Sequence, residues 1–169
     1  MTSGTIHTPR AVLRRWTQTD VVALLQLFQH PHTRRYLLDG AVVDHAWMAL
    51  EIASSQQRFA QGIPGLWTAW QPQTNTLLGV AGFRPDHQPP VLELIYAVAE
   101  QHTGTGLATH LAQTVMAHAR QTTTLGDIHA AVDVVNVASV AVLSKLGFVE
   151  THRSPGAFGD MLHLVARAR

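Results

Sequence analysis

Apolar and polar residues alternate from Ala11 to Trp16, the period of a short half-buried strand. Thr17-Gln18-Thr19-Asp20 then reads as a helix-starting cap ahead of the apolar run Val21 to Phe28. Pro31 is expected to end that helix, because proline lacks the donor and clashes with the turn before it. Arg34 to Leu38 is a candidate short helical piece, and Asp44 a candidate cap for a longer helix ending near Gly62. We count two helical segments ahead of the main sheet.

Leu66 to Trp70, Leu77 to Phe83 and Val91 to Val98 read as three antiparallel strands, separated by turns at Pro72 to Asn75 and at the proline-rich Pro85 to Pro90. Leu107, Leu111 and Val115 recur every four residues with Ala108, Ala112 and Ala119 beside them, an amphipathic helix ending before Gly126. Ile128 to Val134 reads as a buried strand and Val137 to Leu146 as a helix closed by Gly147. Phe148 to His152 and Met161 to Val165 form a final strand pair. The order β-α-α-β-β-β-α-β-α-β-β, about seven strands and four helices, predicts an α/β (α+β) sheet with helices packed on it. No repeat or linker divides the chain, so residues 1–169 are expected to form a single domain.

Hydrophobic residues make up 46% of the chain and charged residues 14%, which suits a packed core. A formal charge of +1 provides no field for nucleic acid or an anionic membrane, so neither is expected as a partner. Without cysteine there is no disulfide, thiolate metal site or Cys nucleophile. No apolar run approaches the roughly 18 residues of a membrane span, and Met1 to Arg10 carries no apolar leader core, so a cytoplasmic location is expected.

The stretch from Glu93 to Ala108 runs from a strand through a short glycine turn into a helix. Gly104 and Gly106 let the backbone approach a ligand, and the unpaired amides of a helix start favour a phosphate. The same two glycines also suit a turn with no ligand. A dinucleotide fingerprint fits poorly, since Thr109 stands at the third glycine position, even though Asp133 ends the next strand.

Gln101-His102-Thr103-Gly104-Thr105-Gly106 resembles the Q/R-x-x-G-x-G/A cofactor motif of the GNAT acyltransferases. The stretch from Asn136 to Phe148 is similar to the N-x-x-S-x-x-x-L-x-K-x-G-F signature of their ribosomal-protein N-acetyltransferase branch. Thr8-Pro9-Arg10 through Trp16, and Glu93 with Tyr96, resemble that branch as well. Thr103, Ile95 and His110 depart from its usual residues.

The resemblance implies a GNAT-like, mostly antiparallel central sheet and acetyl-CoA as co-substrate. The coenzyme would lie between the strand ending at Val98 and the one starting near Ile128, with its pyrophosphate on Thr103, Gly104, Thr105, Gly106, Leu107 and Ala108. Gln101 and Asn136 complete the implied cofactor set, and a backbone amide near Val98 would polarise the thioester carbonyl. An amine acceptor, either a small molecule or a peptide N-terminus, would attack directly with no covalent enzyme intermediate. Glu93 is the candidate proton acceptor for that amine; the other reading of it is an exposed strand residue. Many GNAT enzymes protonate the departing thiolate with a Tyr seven residues after the motif Asn, where this chain has Leu143. Ser139 is the candidate in its place, and both Ser139 and Asn136 also suit helix initiation.

Eleven histidines raise the question of a metal, but neither His30-Pro31-His32 nor His110 with His118 has ligand spacing, and no metal is expected. There is no G-x-S-x-G elbow and no phosphate loop ending in G-K-[ST]. Arg34 and Arg35 suit an anionic substrate or a solvated helix end. A non-catalytic acyl-CoA sensor on the same fold is the alternative function. The final strands offer an edge for a homodimer.

Overall fold

Side chains alternate across each strand, so a central sheet offers two apolar faces and needs helices on both. The structure, a computed structural model, describes residues 4–85 and 91–168; most of the expected turn from Pro85 to Pro90 lies outside the described residues. In chain order the elements are β1 (Thr5–His7), β2 (Val12–Arg15), α1 (Val21–Gln29), α2 (Pro31–Leu37), α3 (His45–Ala60), β3 (Leu66–Trp70), β4 (Leu77–Pro85) and β5 (Leu92–Val98). They continue with α4 (Leu107–Thr122), β6 (Ile128–Asp133), α5 (Val137–Lys145), β7 (Val149–Gly156) and β8 (Gly159–Ala166). One sheet contains them in the order β1-β2-β3-β4-β5-β6-β8-β7. Every neighbouring pair is antiparallel except β5 with β6.

The expected mixed, mostly antiparallel sheet is present, with differences in the element count. An eighth strand, β1, extends the edge by pairing Thr5 with Arg14, Ile6 with Leu13 and His7 with Val12. Three helices rather than two precede β3. Pro31 ends α1 as expected but also opens α2, because the first turn of a helix needs no donor from it. The Asp44 cap is in place: its Oδ1 accepts from the Trp47 amide at 2.8 Å. Before α1, the Thr17 amide and hydroxyl both donate to the Asp20 carboxylate, at 2.8 and 2.9 Å.

One face of the sheet packs on α4 and α5 through Trp67, Phe83, Leu111, Val115, Ile128 and Leu143. The other packs on α1 and α3 through Trp16, Leu24, Phe28, Met48, Ile52 and Ile95. Along β5 the even positions Leu92, Leu94 and Val98 join the first core and Ile95 joins the second. Among the described residues no helix is long and apolar enough to cross a membrane.

Leu111 is fully buried in the second turn of α4. Leu111→Ala should cost about 2–5 kcal/mol through lost contacts and the cavity left behind. Urea denaturation measures this as a lower midpoint at unchanged slope; a cost below about 1 kcal/mol would contradict the packing described.

Candidate functional site

β5 and β6 are neighbours in the sheet, yet they pair only at Leu92 with Ile128 and Glu93 with His129. Beyond those residues both strands continue but diverge. The Ala99 amide donates to the Leu78 carbonyl at 2.9 Å, so by antiparallel alternation the main-chain groups of Leu94, Tyr96 and Val98 point away from β4 toward β6. The Val134 amide, bonded to the Asp160 carbonyl at 2.9 Å, likewise turns the main chain of Ala131 and Asp133 toward β5. Between the two open edges lies a cleft of about 980 Å³, walled by α2, β5, β6, the first turn of α4 and the length of α5.

At the wide end β5 leads through a short turn, Glu100–His102, into the glycine segment. Gly104 and Gly106 have φ of 72° and 74°, left-handed values that exclude most side chains. Crowding is not the reason: a Cβ on Gly104 would meet nothing within 4 Å, and one on Gly106 only an Arg10 nitrogen at 3.8 Å. The Thr103 and Thr105 hydroxyls brace the turn by donating to the carbonyls of Glu100 and His102 at 2.7 and 2.9 Å. The His110 amide donates to the Gly106 carbonyl at 3.1 Å and starts the α4 ladder, which leaves the amides ahead of it without helix partners. α4 has neither a side-chain cap nor an acidic residue in its first turn, so its positive end is unsatisfied.

On the opposite wall Asn136 Oδ1 accepts from the Ser139 amide at 3.3 Å and starts α5. The Tyr96 hydroxyl donates to the Ser139 carbonyl at 3.3 Å and ties β5 to that turn across the cleft. Burial pushes the Tyr96 phenol up to about 12, with the Ser139 side chain opposing the shift.

Residues 10–149 match the Acetyltransferase (GNAT) domain family. The chain belongs to the GNAT acetyltransferase family. An uncharacterized N-acetyltransferase, p20, of Bacillus licheniformis is 23% identical over 145 residues, 85% of this chain and 82% of that protein. The ribosomal-protein-S5-alanine acetyltransferase of Vibrio fischeri superposes with a TM-score of 0.81 at 14% identity, covering 98% of this chain and 97% of its own. RimL, a ribosomal L7/L12 alpha-N-protein acetyltransferase solved in complex with coenzyme A, gives 0.81 at 18% identity over 96% and 97% of the two chains. At these identities the structural likeness speaks for the fold.

In this GNAT acetyltransferase the cleft is lined by Val98, Thr103, Gly104, Gly106, Leu107 and Ala108 on one wall. Asn136 and Ser139 line the other. Gln101 is exposed, and Thr105 faces Arg10, so both belong to the glycine turn without lining the cleft. Glu93 lies apart from them. It precedes the divergence, shares a strand face with Ile95, and pairs with Arg84 at 3.3 Å. It is not among the residues lining the cleft.

Further residues at the site lie outside the expected cofactor and catalytic sets. Arg10 Nη2 donates to the Thr105 carbonyl at 3.0 Å and approaches its hydroxyl at 3.3 Å, which sets a guanidinium beside the glycine turn. His102 lines the cleft there, and its Nε2 is buried without a protein partner. Asp133 is 2% exposed at the end of β6, with Oδ1 unpartnered. Burial and the charge of Asp39 push its carboxyl up, against the Phe158 and Asp133 amides, which pull it down. The T-P-R opening was a signal for Arg10, and Asp133 was marked only by its place at the end of the strand after the glycine turn. Among the described residues no group of three or more His, Asp or Glu is arranged to hold a metal.

Tyr96 should make stability fall with alkali. An unfolded tyrosine ionises at about 10, whereas the folded phenol holds its proton to about 12, so its contribution is present below pH 10 and is lost as the pH rises between the two values. Thermal melts at about pH 9 and about pH 11 should show a larger loss for wild type than for Tyr96→Phe. Equal losses would contradict the burial of the phenol.

Proposed function

We propose that this acetyltransferase moves the acetyl group of acetyl-CoA to a primary amine by direct attack, without a covalent enzyme intermediate. The observation that carries this reading is the open main-chain edge of β5, from Leu94 to Val98, which leads directly into an uncapped helix start at a glycine turn. An extended chain with amide groups fits such an edge as a strand would, and a pyrophosphate fits the helix start.

The residues present suit that co-substrate. The amides ahead of His110, the Arg10 guanidinium and the orphan Nε2 of His102 would hold the phosphates. The main chain of Leu94, Tyr96 and Val98 would hold the extended arm, with Asn136 at the facing turn. Acetyl-CoA supplies an activated acyl group whose thioester carbonyl gains negative charge under attack, and a β5 amide is a preorganised donor for it. Ser139 is the hydroxyl we assign to the departing sulfur, with Tyr96 holding its turn in place. Glu93 pairs with Arg84 and does not line the cleft, so the reading gives it a role in joining β4 to β5 instead of the proton transfer expected of it.

The acceptor class is a primary amine, either a small molecule or a peptide N-terminus. Two of the similar structures carry names of enzymes that act on ribosomal proteins, and that choice of acceptor lies within the proposed class.

Calorimetric titration with acetyl-CoA tests the proposal. Wild type should bind with a dissociation constant on the order of micromolar. Gly104→Glu, which sets a carboxylate in the phosphate turn, should abolish the heat, while Gly104→Ala, carrying only the backbone strain, should retain binding. Arg10→Ala should weaken binding by about tenfold, the scale of one lost charged hydrogen bond. No binding by folded wild type would overturn the assignment.

A further inference from the structure

A buried carboxylate oxygen without a donor is costly, and it persists where something outside the chain completes it. Asp133 is the residue of this kind at the cleft: 2% exposed, lining the cavity, with Oδ1 bonded to nothing in the protein. The ion pairs among the described residues are His30 with Glu100, Arg84 with Glu93, Arg153 with Glu150 and Arg167 with Asp127, and none includes Asp133.

Strand alternation decides which side of the sheet this carboxylate serves. Ile128, Ala130 and Val132 join the core under α4 and α5, so Asp133 belongs to the opposite face, toward α2. The glycine turn and Asn136 occupy the α4 and α5 side. A group bound at Asp133 would therefore meet the cleft from the side opposite the proposed coenzyme.

What surrounds Asp133 suits a cation on an apolar stem. Asp39, in the turn after α2, adds a second negative charge to its environment. The β7–β8 hairpin closes over it: a Cβ on Gly156 would lie 3.0 Å from Oδ1, and Phe158 meets Tyr36 of α2 edge to face at 5.5 Å. Tyr36, Leu37, Ile95 and Val135 supply apolar wall nearby. The other charged residues lining the cleft are Arg35, Glu100 and Lys145, and Asp160 stands at the start of β8; neither cation pairs with Asp133.

We propose that Asp133 is the residue that binds the ammonium group of the acceptor, selecting a protonated primary amine on an uncharged stem that lies along the apolar wall of Tyr36, Leu37, Ile95 and Val135. This rests on the acetyl-transfer reading for the presence of coenzyme on the far side of the cleft. Asp133 acts as a positioning and recognition residue, setting the nitrogen at the gap between β5 and β6, where the ammonium gives up one proton to water in the open cleft before the free amine attacks. Its raised proton affinity is the state expected while that cation is absent.

The test is a carboxyl carbon NMR titration of the CoA-saturated protein, with the Asp133 signal assigned by its loss in Asp133→Asn. The probes are n-butylammonium chloride, sodium chloride at the same ionic strength, and 1-butanol as the neutral counterpart. The expected result is an Asp133 midpoint that n-butylammonium lowers by about one pH unit or more, the effect of an opposite charge in contact, with sodium chloride and 1-butanol leaving it in place. A midpoint that n-butylammonium does not move, or that sodium chloride moves equally, overturns the proposal. Calorimetry on the same sample separates the two readings: absent CoA binding sinks the acetyl-transfer reading, whereas intact CoA binding with an unmoved midpoint sinks this one alone.

Discussion

A strand that leaves its neighbour in mid-sheet must leave its backbone donors and acceptors unsatisfied, and the cleft of this protein depends on that constraint. β5 and β6 begin as a parallel pair and part after Glu93 and His129. From there the edge from Leu94 to Val98 is suited to an extended ligand because β4 holds its other side throughout. The fold can sustain the opening because each strand keeps one full partner: β4 for β5, and β8 for β6. Helices on both faces, with the Tyr96 bond to the Ser139 carbonyl bridging the gap, hold the two halves at a fixed separation.

The opening gives the two faces of the sheet different chemistry. On the α4 and α5 side are the positive helix end, Arg10 and the Asn136 turn, all suited to an anionic, amide-rich co-substrate. On the α2 side are Asp133, Asp39 and an aromatic contact from Tyr36 to Phe158, suited to a cation. A transferase needs two substrates to meet without competing for the same contacts, and a split sheet offers each of them a different face.

Much of this was legible in the chain because it is encoded locally. The four-residue recurrence of Leu107, Leu111 and Val115 marked α4, and the glycine turn and the run from Asn136 to Phe148 marked the two helix starts that flank the cleft. What escaped is set by tertiary arrangement. Three residues, Thr5 to His7, are too few to show a period, so β1 was not visible. Pro31 was read as a stop, though the same missing donor suits a first turn. Arg10 reaches Thr105 across 95 positions of sequence. Glu93 was left with two readings, a cleft carboxylate or an exposed strand residue, because the sequence does not reveal strand register; its pairing with Arg84 follows from β4 lying opposite. Asp133 is buried by a hairpin tip some twenty-five residues later and charged against a turn far earlier, and no local pattern records either neighbour.

The central claim is that the parted edge of β5 and the glycine turn bind one extended anionic co-substrate. Amide hydrogen exchange with and without acetyl-CoA measures this residue by residue. The account predicts fast exchange at Tyr96 and Val98 and from Gly104 to Thr109 in the free protein, and protection of both segments together when acetyl-CoA is added, with β1 and β2 unchanged. Protection of the glycine turn without the β5 edge, or of neither, would contradict it.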